Sequence, residues 1–105
     1  MSVSLGGHKL HIHLGWYPTG ELGEVSTELH KVGTFSRSMV YATVQLMSLS
    51  LQHGVEPQKL VEMFRRVDFE PQGEVKGHAT ITSATSVLDL LAQIIDDETK
   101  KSGGG

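Results

Sequence analysis

Two neighbouring arginines and a run of hydroxyl side chains are the groups in this chain best suited to bind an anion. The arginines are Arg65 and Arg66, and the hydroxyls belong to Thr82, Ser83, Thr85 and Ser86. Arginine presents a planar set of N–H donors that matches a phosphate, and hydroxyls at a helix start lie beside free backbone N–H groups. These residues predict a phosphate or nucleotide site if the fold brings them together. The alternative interpretation is that the hydroxyls cap a helix and the arginines face water.

A carboxylate next to a proline is a second candidate for a positioned polar group. Glu70 precedes Pro71, and Gly73 allows the chain to turn close by. Because proline restricts the residue before it, we expect Glu70 to have a defined orientation. It would then contact a ribose hydroxyl, a base edge or an amide of a partner protein. The structural alternative is that Glu70 accepts backbone N–H groups of its own chain and holds the loop.

Two histidines at alternate positions raise the question of a metal site. His11 and His13 share one face of a strand, and Glu24 falls on the strand expected to pair with it. This spacing is acceptable for metal ligands, but an exposed polar strand face with a His–carboxylate pair explains the same residues. We therefore expect neither a metal nor a cofactor. The chain also has no Gly-x-Ser-x-Gly motif, Gly-rich phosphate loop or His-Glu-x-x-His helix, so we expect no enzyme activity.

Four large side chains form a predicted interaction surface. Trp16 and Tyr17 lie beside an expected hairpin turn, and Met39 and Met47 lie on an expected apolar helix. Such rings stack on a base or become buried against a protein partner, and the alternative, commonest for a lone tryptophan, is that Trp16 packs on helices of its own chain. The first helix and the hairpin are thus the expected docking elements.

Alternating apolar and polar residues predict two strands at the start of the chain. Residues 9–14 and 24–30 both show this period of two, which indicates strands with one buried face. Pairing Ile12 with Val25 would set a lysine opposite a glutamate, so we expect this antiparallel register.

Capping residues predict three helices after the strands. The first begins at Thr34 or Ser36 and runs to about His53, where Gly54 stops it, and its broad apolar set predicts burial on more than one side. The second begins at Pro57. The third is capped by Ser86, with a carboxylate three residues later.

The predicted fold class is α+β, with an antiparallel β-hairpin or small sheet followed by three helices packed on one face. Residues 68–79 are rich in glycine, proline and charge and predict a loop or an irregular strand. We expect a single domain over residues 1–98 and a flexible Lys/Ser/Gly tail over residues 99–105.

Composition limits the classes of function. At 105 residues the chain is one domain, and its formal charge of −3 without a basic stripe makes nucleic acid an unlikely partner. No stretch approaches the roughly 20 apolar residues of a membrane span, so a cytoplasmic protein without membrane contact is expected. The chain contains no cysteine, which excludes disulfides, thiolate metal sites and thiyl radicals. With 12 glycines and a hydrophobic fraction of 38%, the core is expected to be thin and completed by self-association.

Three sequence segments resemble one known family. They are Ser-Leu-x-Leu-Gln-x-Gly-Val at 48–55, Leu-Val-x-x-Phe at 60–64 and Phe-Glu-Pro-x-Gly at 69–73. Their order resembles the C-terminal accessory region of the cobalamin-dependent (class II) ribonucleotide reductases, which often carries a Thr-Ser-Cys-Pro-Asp signature. This chain has Thr-Ser-Ala-Thr-Ser at 82–86, so a role that depends on the signature cysteine does not carry over.

The resemblance implies a noncatalytic appendage in nucleotide metabolism and leaves two functions open. The first is a stand-alone protein-interaction or oligomerisation module, with a homo-oligomer or a reductase-related protein as partner. The second is a small-molecule binder that senses or sequesters a nucleotide or cyclic-nucleotide signal at a subunit interface. Family resemblance alone does not decide between them, because fold does not fix function.

Overall fold

The computed structural model describes residues 1–30 and 33–102, in which one antiparallel sheet packs against three helices. The elements are β1 Ser2–Leu5, β2 His8–Trp16, β3 Leu22–Leu29, α1 Thr34–Gln52, α2 Pro57–Phe64, β4 Gly73–Lys76, β5 Ser83–Ala84 and α3 Val87–Ser102. The strand order across the sheet is β3-β2-β1-β4-β5. The predicted α+β class is confirmed.

The two predicted strands form the hairpin β2–β3, but their register differs from the prediction by two residues. Leu14 pairs with Val25, and His11 stands opposite Glu28 where a lysine was expected. A shift of two leaves every side chain on its predicted face, so alternation alone does not determine it. The connection and the irregularity at the end of β2 fix the register, and neither has a clear signal in the sequence.

A glycine turn adds the first strand to this hairpin. Gly6 and Gly7 join β1 to β2 with φ angles of 55° and 85°, which favour glycine. The Gly6 N–H donates to the carbonyl of Glu74 at 2.8 Å, and a Cβ atom on Gly6 would overlap the carbonyl oxygen of Gln72. This close approach places β1 beside β4, so the sheet extends well beyond a hairpin. Strand β4 lies within the segment predicted as a loop or an irregular strand.

Helix α1 has its predicted ends but not its predicted burial. It begins at Thr34, ends at Gln52, and is followed by Gly54 with a φ of 92°. Its buried residues form a single stripe of Val40, Val44, Met47 and Leu51. The expectation of burial on more than one side is wrong, because α1 packs against the sheet with one face and lies at the surface with the other.

Side chains of α1 cover the outer edge of β3, the edge strand of the sheet. The contacts join Ser48 to Val25, Tyr41 to Leu29 and Gln52 to Gly23. The Ser48 hydroxyl both accepts from the Val25 N–H and donates to the Val25 carbonyl, each at 2.9 Å. Ser48 therefore provides the pair of hydrogen bonds that a neighbouring strand would otherwise make.

Helix α3 is the most deeply buried helix of the fold. The Ser86 hydroxyl accepts the Asp89 N–H at 3.0 Å, which confirms the predicted cap. Helix α2 begins at Pro57, as predicted, and packs Leu60 and Val61 against this core. The completely buried side chains of α3 are Val87, Leu90, Leu91, Ile94 and Ile95. Apolar residues from every helix and strand join them in one cluster.

The last helix continues into the segment expected to be a flexible tail. Helix α3 extends to Ser102, so residues 99–102 are helical, whereas residues 103–105 lie outside the described residues. The hydroxyl of Thr99 donates to the carbonyl of Ile95 at 2.6 Å, and the ammonium of Lys101 lies 3.2 Å from the carboxylate of Asp97. The spacing of four residues explains these contacts, which support the last turn. None of the three helices is apolar over a length that would cross a bilayer.

Candidate functional site

Four of the predicted anion-binding residues meet at the start of α3, around the carboxylate of Asp89. The guanidinium of Arg65 and the backbone N–H of Arg66 donate to Oδ1, the latter at 2.7 Å. The backbone N–H of Thr85 donates to Oδ2 at 3.0 Å, and Ser86 caps the helix. We call these five residues the Asp89 cluster. The sequence predicted the grouping of the donors but assigned Asp89 only to the helix cap.

The backbone after α2 is shaped to point a donor at Asp89. Helix α2 ends at Phe64, and Arg66 has a φ of 67°, a left-handed conformation that is uncommon for a residue other than glycine. This conformation turns the Arg66 N–H toward the carboxylate. The Thr85 hydroxyl donates to the carbonyl of Val67 at 3.0 Å, so the same segment is also held from the strand side.

Hydrogen bonds determine the charge state of Asp89. Burial raises the pKa of its carboxyl, but the backbone N–H groups of Arg66 and Thr85 and the guanidinium of Arg65 together lower it by more. The pKa therefore lies below its ordinary value of 3.8. Asp89 is a buried anion that is stabilised by three donors from two parts of the chain, residues 65–66 and Thr85.

The Asp89 cluster already contains its anion. A phosphate at this helix start would need the donors that Asp89 now occupies, and it would meet a negative charge at close range. Ser86, one of the predicted ligand-binding residues, is fully buried, so its hydroxyl does not face solvent. Arg65 is partly exposed, but its guanidinium is paired with Asp89.

The remaining predicted ligand-binding residues lie at the surface near this cluster. Thr82 and Ser83 are exposed, and their backbone carbonyls accept hydrogen bonds from the backbone N–H of Val75 and the side chain of Gln93. Glu70 is exposed and follows Phe69, whose N–H donates to the carbonyl of Thr85 at 3.0 Å. Within the described residues, no hydrogen bond involves the Glu70 carboxylate, so the structural alternative, in which it accepts backbone N–H groups of its own chain, is not observed.

The polar outer face of the hairpin carries the predicted histidines. The carboxylate side chain of Glu24 and the ring of His13 both lie beside Gly15, where the lack of a Cβ leaves them room. The ring of His11 is 3.2 Å from the hydroxyl of Ser2. In the described parts of the chain, the possible ligand atoms of His11, His13 and Glu24 do not converge on one point.

A different group of acidic and imidazole side chains was missed by sequence reasoning. Ligand atoms of His78, Asp97 and Glu98 lie within 4.8 Å of one another. However, Nδ1 of His78 accepts the N–H groups of Thr80 and Ile81 at 3.1 Å each, so the proton of the neutral ring lies on Nε2. A metal on Nε2 would force that proton onto Nδ1, against two N–H donors. This group therefore does not fit a metal ion.

Large apolar side chains are exposed along the outer face of α1. The exposed fractions are 79% for Phe35, 53% for Met39, 60% for Leu46 and 51% for Leu49. Met47, predicted to share a surface with Met39, is 1% exposed and belongs to the core. Counting the apolar residues of α1 could not separate the two sets, because both have helical spacing.

The predicted aromatic pair lies at the end of the hairpin. Trp16 and Tyr17 are both partly exposed, and the Tyr17 ring covers Gly23, where a Cβ atom would collide with it. Trp16 lines an open cavity of about 460 Å³ together with Leu22 and Val55. The pair is therefore partly used in internal packing and partly available at the surface.

These features define a small α+β domain with a filled polar cluster and an apolar outer helix face. The chain belongs to the TSCPD domain family, whose sequence profile matches residues 2–99. The resemblance found in the sequence is thus confirmed.

Curated relatives are far longer proteins. The chain is 40% identical over 89 residues to a vitamin B12-dependent ribonucleotide reductase of Agrobacterium fabrum and 41% identical over 87 residues to that of Bradyrhizobium diazoefficiens. These matches cover 85% and 83% of this chain but 7% of each reductase. A reductase of Rhodopirellula baltica is 30% identical over 90 residues, which cover 86% of this chain and 9% of that protein. No solved structure gives a significant match.

Proposed function

We propose that this chain is a noncatalytic interaction domain that binds a protein partner through the outer face of α1. The observation that carries the proposal is the exposure of Phe35, Met39, Leu46 and Leu49 on one side of a single helix. Isolated exposed apolar residues are ordinary, but a contiguous group is a common mark of an interaction site.

Energetics support this assignment. Moving apolar surface out of water contributes about 25 cal/mol per Å², so four large side chains on one face offer a substantial gain to any partner that covers them. The opposite face of α1 is already packed, and its C-terminal part is held by the edge contacts of Ser48 and ends at Gly54. The face is therefore presented on a rigid element, which reduces the entropy lost on binding.

The assignment as noncatalytic rests on the chemistry of the polar groups. In the part of the chain that the structure describes, Asp89, whose carboxyl has a lowered pKa, is buried and accepts hydrogen bonds from the backbone of its own chain. The relatives match only over a short segment of much longer reductases, so their name gives this chain no reaction of its own. A reductase-related protein and a second copy of this chain are the two partner classes under this proposal.

Nucleotide binding, the other function suggested by the sequence, receives less support. Its best donors lie in the Asp89 cluster, where the carboxylate already occupies them. Thr82 and Ser83 are exposed but carry no positive charge that would balance a phosphate. We therefore do not assign a nucleotide site.

A photo-cross-linking amino acid at Leu46 tests the interaction proposal. Met63 on α2 is a matched control, because it is an exposed apolar side chain away from this face. We expect a discrete cross-linked product with the probe at Leu46 and none with the probe at Met63, in cells that express the chain. No product at Leu46, or equal products at both positions, would overturn the proposal.

A further inference from the structure

The exposed face of α1 has the spacing of a helix-pairing surface. The exposed apolar residues of this face lie four, three, four and three positions apart along the sequence. This is the heptad pattern of a helix that packs along another helix. We call this set the α1 seam, and it consists of Phe35, Met39, Ala42, Leu46 and Leu49. All five are exposed, and the buried stripe of α1 lies on the other side of the same helix.

We propose that two copies of this chain pair through the α1 seam, with their α1 helices antiparallel. This inference rests on the proposed function and names the partner. The pairing would bury the exposed apolar side chains of both copies against each other, as an isologous contact about a two-fold axis.

The residues beside the seam favour an identical partner. They are Ser36, Ser38, Thr43, Gln45 and Ser50. None carries a charge, so two copies approach without like-charge repulsion, whereas a strongly charged partner would find no opposite charge. Hydroxyl and amide groups form the polar rim that is usual around an apolar contact.

Side-chain size favours the antiparallel orientation. Placing the two-fold axis near Val44 of each helix sets Ala42 against Leu46 of the second copy, and Met39 against Leu49. A small residue then faces a large one, which fills space evenly. A parallel pair would set Ala42 against Ala42 and leave a gap at the centre. Antiparallel helix dipoles also attract each other, whereas parallel ones repel.

The size of the seam indicates a weak, reversible dimer. The exposed side chains together offer several hundred Å² per copy. Two copies therefore approach the roughly 1,000 Å² that a specific interface needs, and remain below the area of obligate dimers. Helix α1 has 19 residues, so at about 1.5 Å per residue the contact extends over most of 28 Å.

Single cysteines in this cysteine-free chain test both the partner and the orientation. In the antiparallel pair, Met39→Cys and Leu49→Cys face each other across two copies. Either variant alone places its two thiols ten residues apart along the axis, about 15 Å, which is too far for a disulfide. Met63→Cys on α2 controls for random collision.

Under mild oxidation, we expect a covalent dimer when the Met39→Cys and Leu49→Cys proteins are mixed. Each variant alone, and Met63→Cys, should give at least tenfold less. A disulfide from Leu49→Cys alone at the rate of the mixture would overturn the antiparallel orientation. Equal rates for all variants, including Met63→Cys, would overturn the pairing.

Sedimentation of the unmodified chain provides an independent readout. We expect a monomer–dimer equilibrium at concentrations of about 100 μM, because small interfaces typically have micromolar affinity or weaker. Leu46→Glu should be monomeric at the same concentration with an unchanged circular dichroism spectrum. A strictly monomeric wild-type chain would overturn the inference.

The same measurements separate this inference from the proposed function. A photo-cross-link at Leu46 to a protein other than this chain, with a monomeric purified chain, leaves the interaction domain in place and overturns self-pairing. Absence of any cross-link at Leu46 overturns both.

Discussion

Asp89 does at the start of α3 what a bound phosphate does at an open helix N-terminus. Its two oxygens accept two backbone N–H groups and the guanidinium of Arg65. The combination of arginines and hydroxyls is therefore a correct signal for an anion, but the anion belongs to the protein. Donor residues are visible in a sequence, whereas the acceptor that reaches them is decided by the fold.

The lowered pKa of Asp89 predicts an acid-sensitive fold. A carboxyl with a depressed pKa in the folded state contributes stability above its unfolded pKa of about 3.9, and this contribution is lost as pH falls through the folded pKa. We expect Asp89→Asn to lower the free energy of unfolding by on the order of 2 to 4 kcal/mol at pH 7, because it weakens a buried ion pair. Urea unfolding of both proteins between pH 7 and pH 2 measures this difference.

The difference between the two proteins should shrink as the pH falls below about 4, because Asp89 is protonated first in the unfolded chain and only at lower pH in the folded one. Glu62→Gln is the control, because Glu62 is an exposed carboxylate on α2. Its effect should stay below about 0.5 kcal/mol at pH 7, as is usual for exposed substitutions. A pH-independent difference for Asp89→Asn would show that the carboxylate charge is not what stabilises the cluster.

Ser48 is the residue on which the edge of β3 most depends. Replacing it with alanine would leave the N–H and carbonyl of Val25 without their partner, so we expect Ser48→Ala to cost about 1 to 3 kcal/mol of unfolding free energy. Ser50→Ala is a matched control on the same helix, and it should be neutral or slightly stabilising because alanine favours helix. Chemical denaturation of the two variants gives the comparison, and equal effects would contradict this role of Ser48.

At the scale of elements, α1 and α3 have roles that apolar content alone does not reveal. Both helices carry many apolar residues, and the sequence of α1 suggests burial on more than one side. In the fold, α3 lies at the centre of the core and α1 borders the edge strand. Periodicity identifies a helix, but the neighbours that cover each face are determined by the topology.

A pair of truncations distinguishes the two helices. Ile94→Ala removes a completely buried side chain of α3, so we expect a loss of about 2 to 5 kcal/mol. Leu46→Ala removes an exposed side chain of α1 and should change the free energy of unfolding by less than about 0.5 kcal/mol. Both are measured by urea unfolding in dilute solution, where the proposed weak dimer would dissociate. A similar loss for both variants would mean that the α1 seam is covered within one copy.

At the scale of the whole molecule, sequence patterns of adjacent residues predicted the helix ends correctly, whereas contacts between distant segments were not predicted. Gly54, Pro57 and Ser86 mark helix ends because the capping chemistry depends on adjacent residues. The pairing of β1 with β4 joins segments about 70 residues apart, and no adjacent residue encodes it. The Asp89 cluster could be predicted only in part. Its cap joins residues that are close in sequence, whereas its contact with Arg65 joins residues that are distant in sequence.

The complete fold also predicts how the chain responds to nucleotides. Because Asp89 occupies the donors, a panel of ribonucleotides, deoxynucleotides and cyclic nucleotides should leave the melting temperature unchanged. A ligand at 100 times its Kd would add about 2.7 kcal/mol, which is a shift of roughly 10 °C for a domain of this size. A shift that disappears in a variant with both Arg65→Ala and Arg66→Ala would contradict this and restore the nucleotide hypothesis.

The contact between the Ser48 hydroxyl of α1 and the edge strand β3 affects how copies of this protein can assemble. A bare strand edge recruits further strands without limit, and such growth ends in fibres. In this protein, helix α1 blocks the addition of a further strand at Val25, and the α1 seam lies on the far side of the same helix. Under the proposed pairing, association would therefore be directed away from open-ended polymers and toward a closed particle with a fixed number of chains.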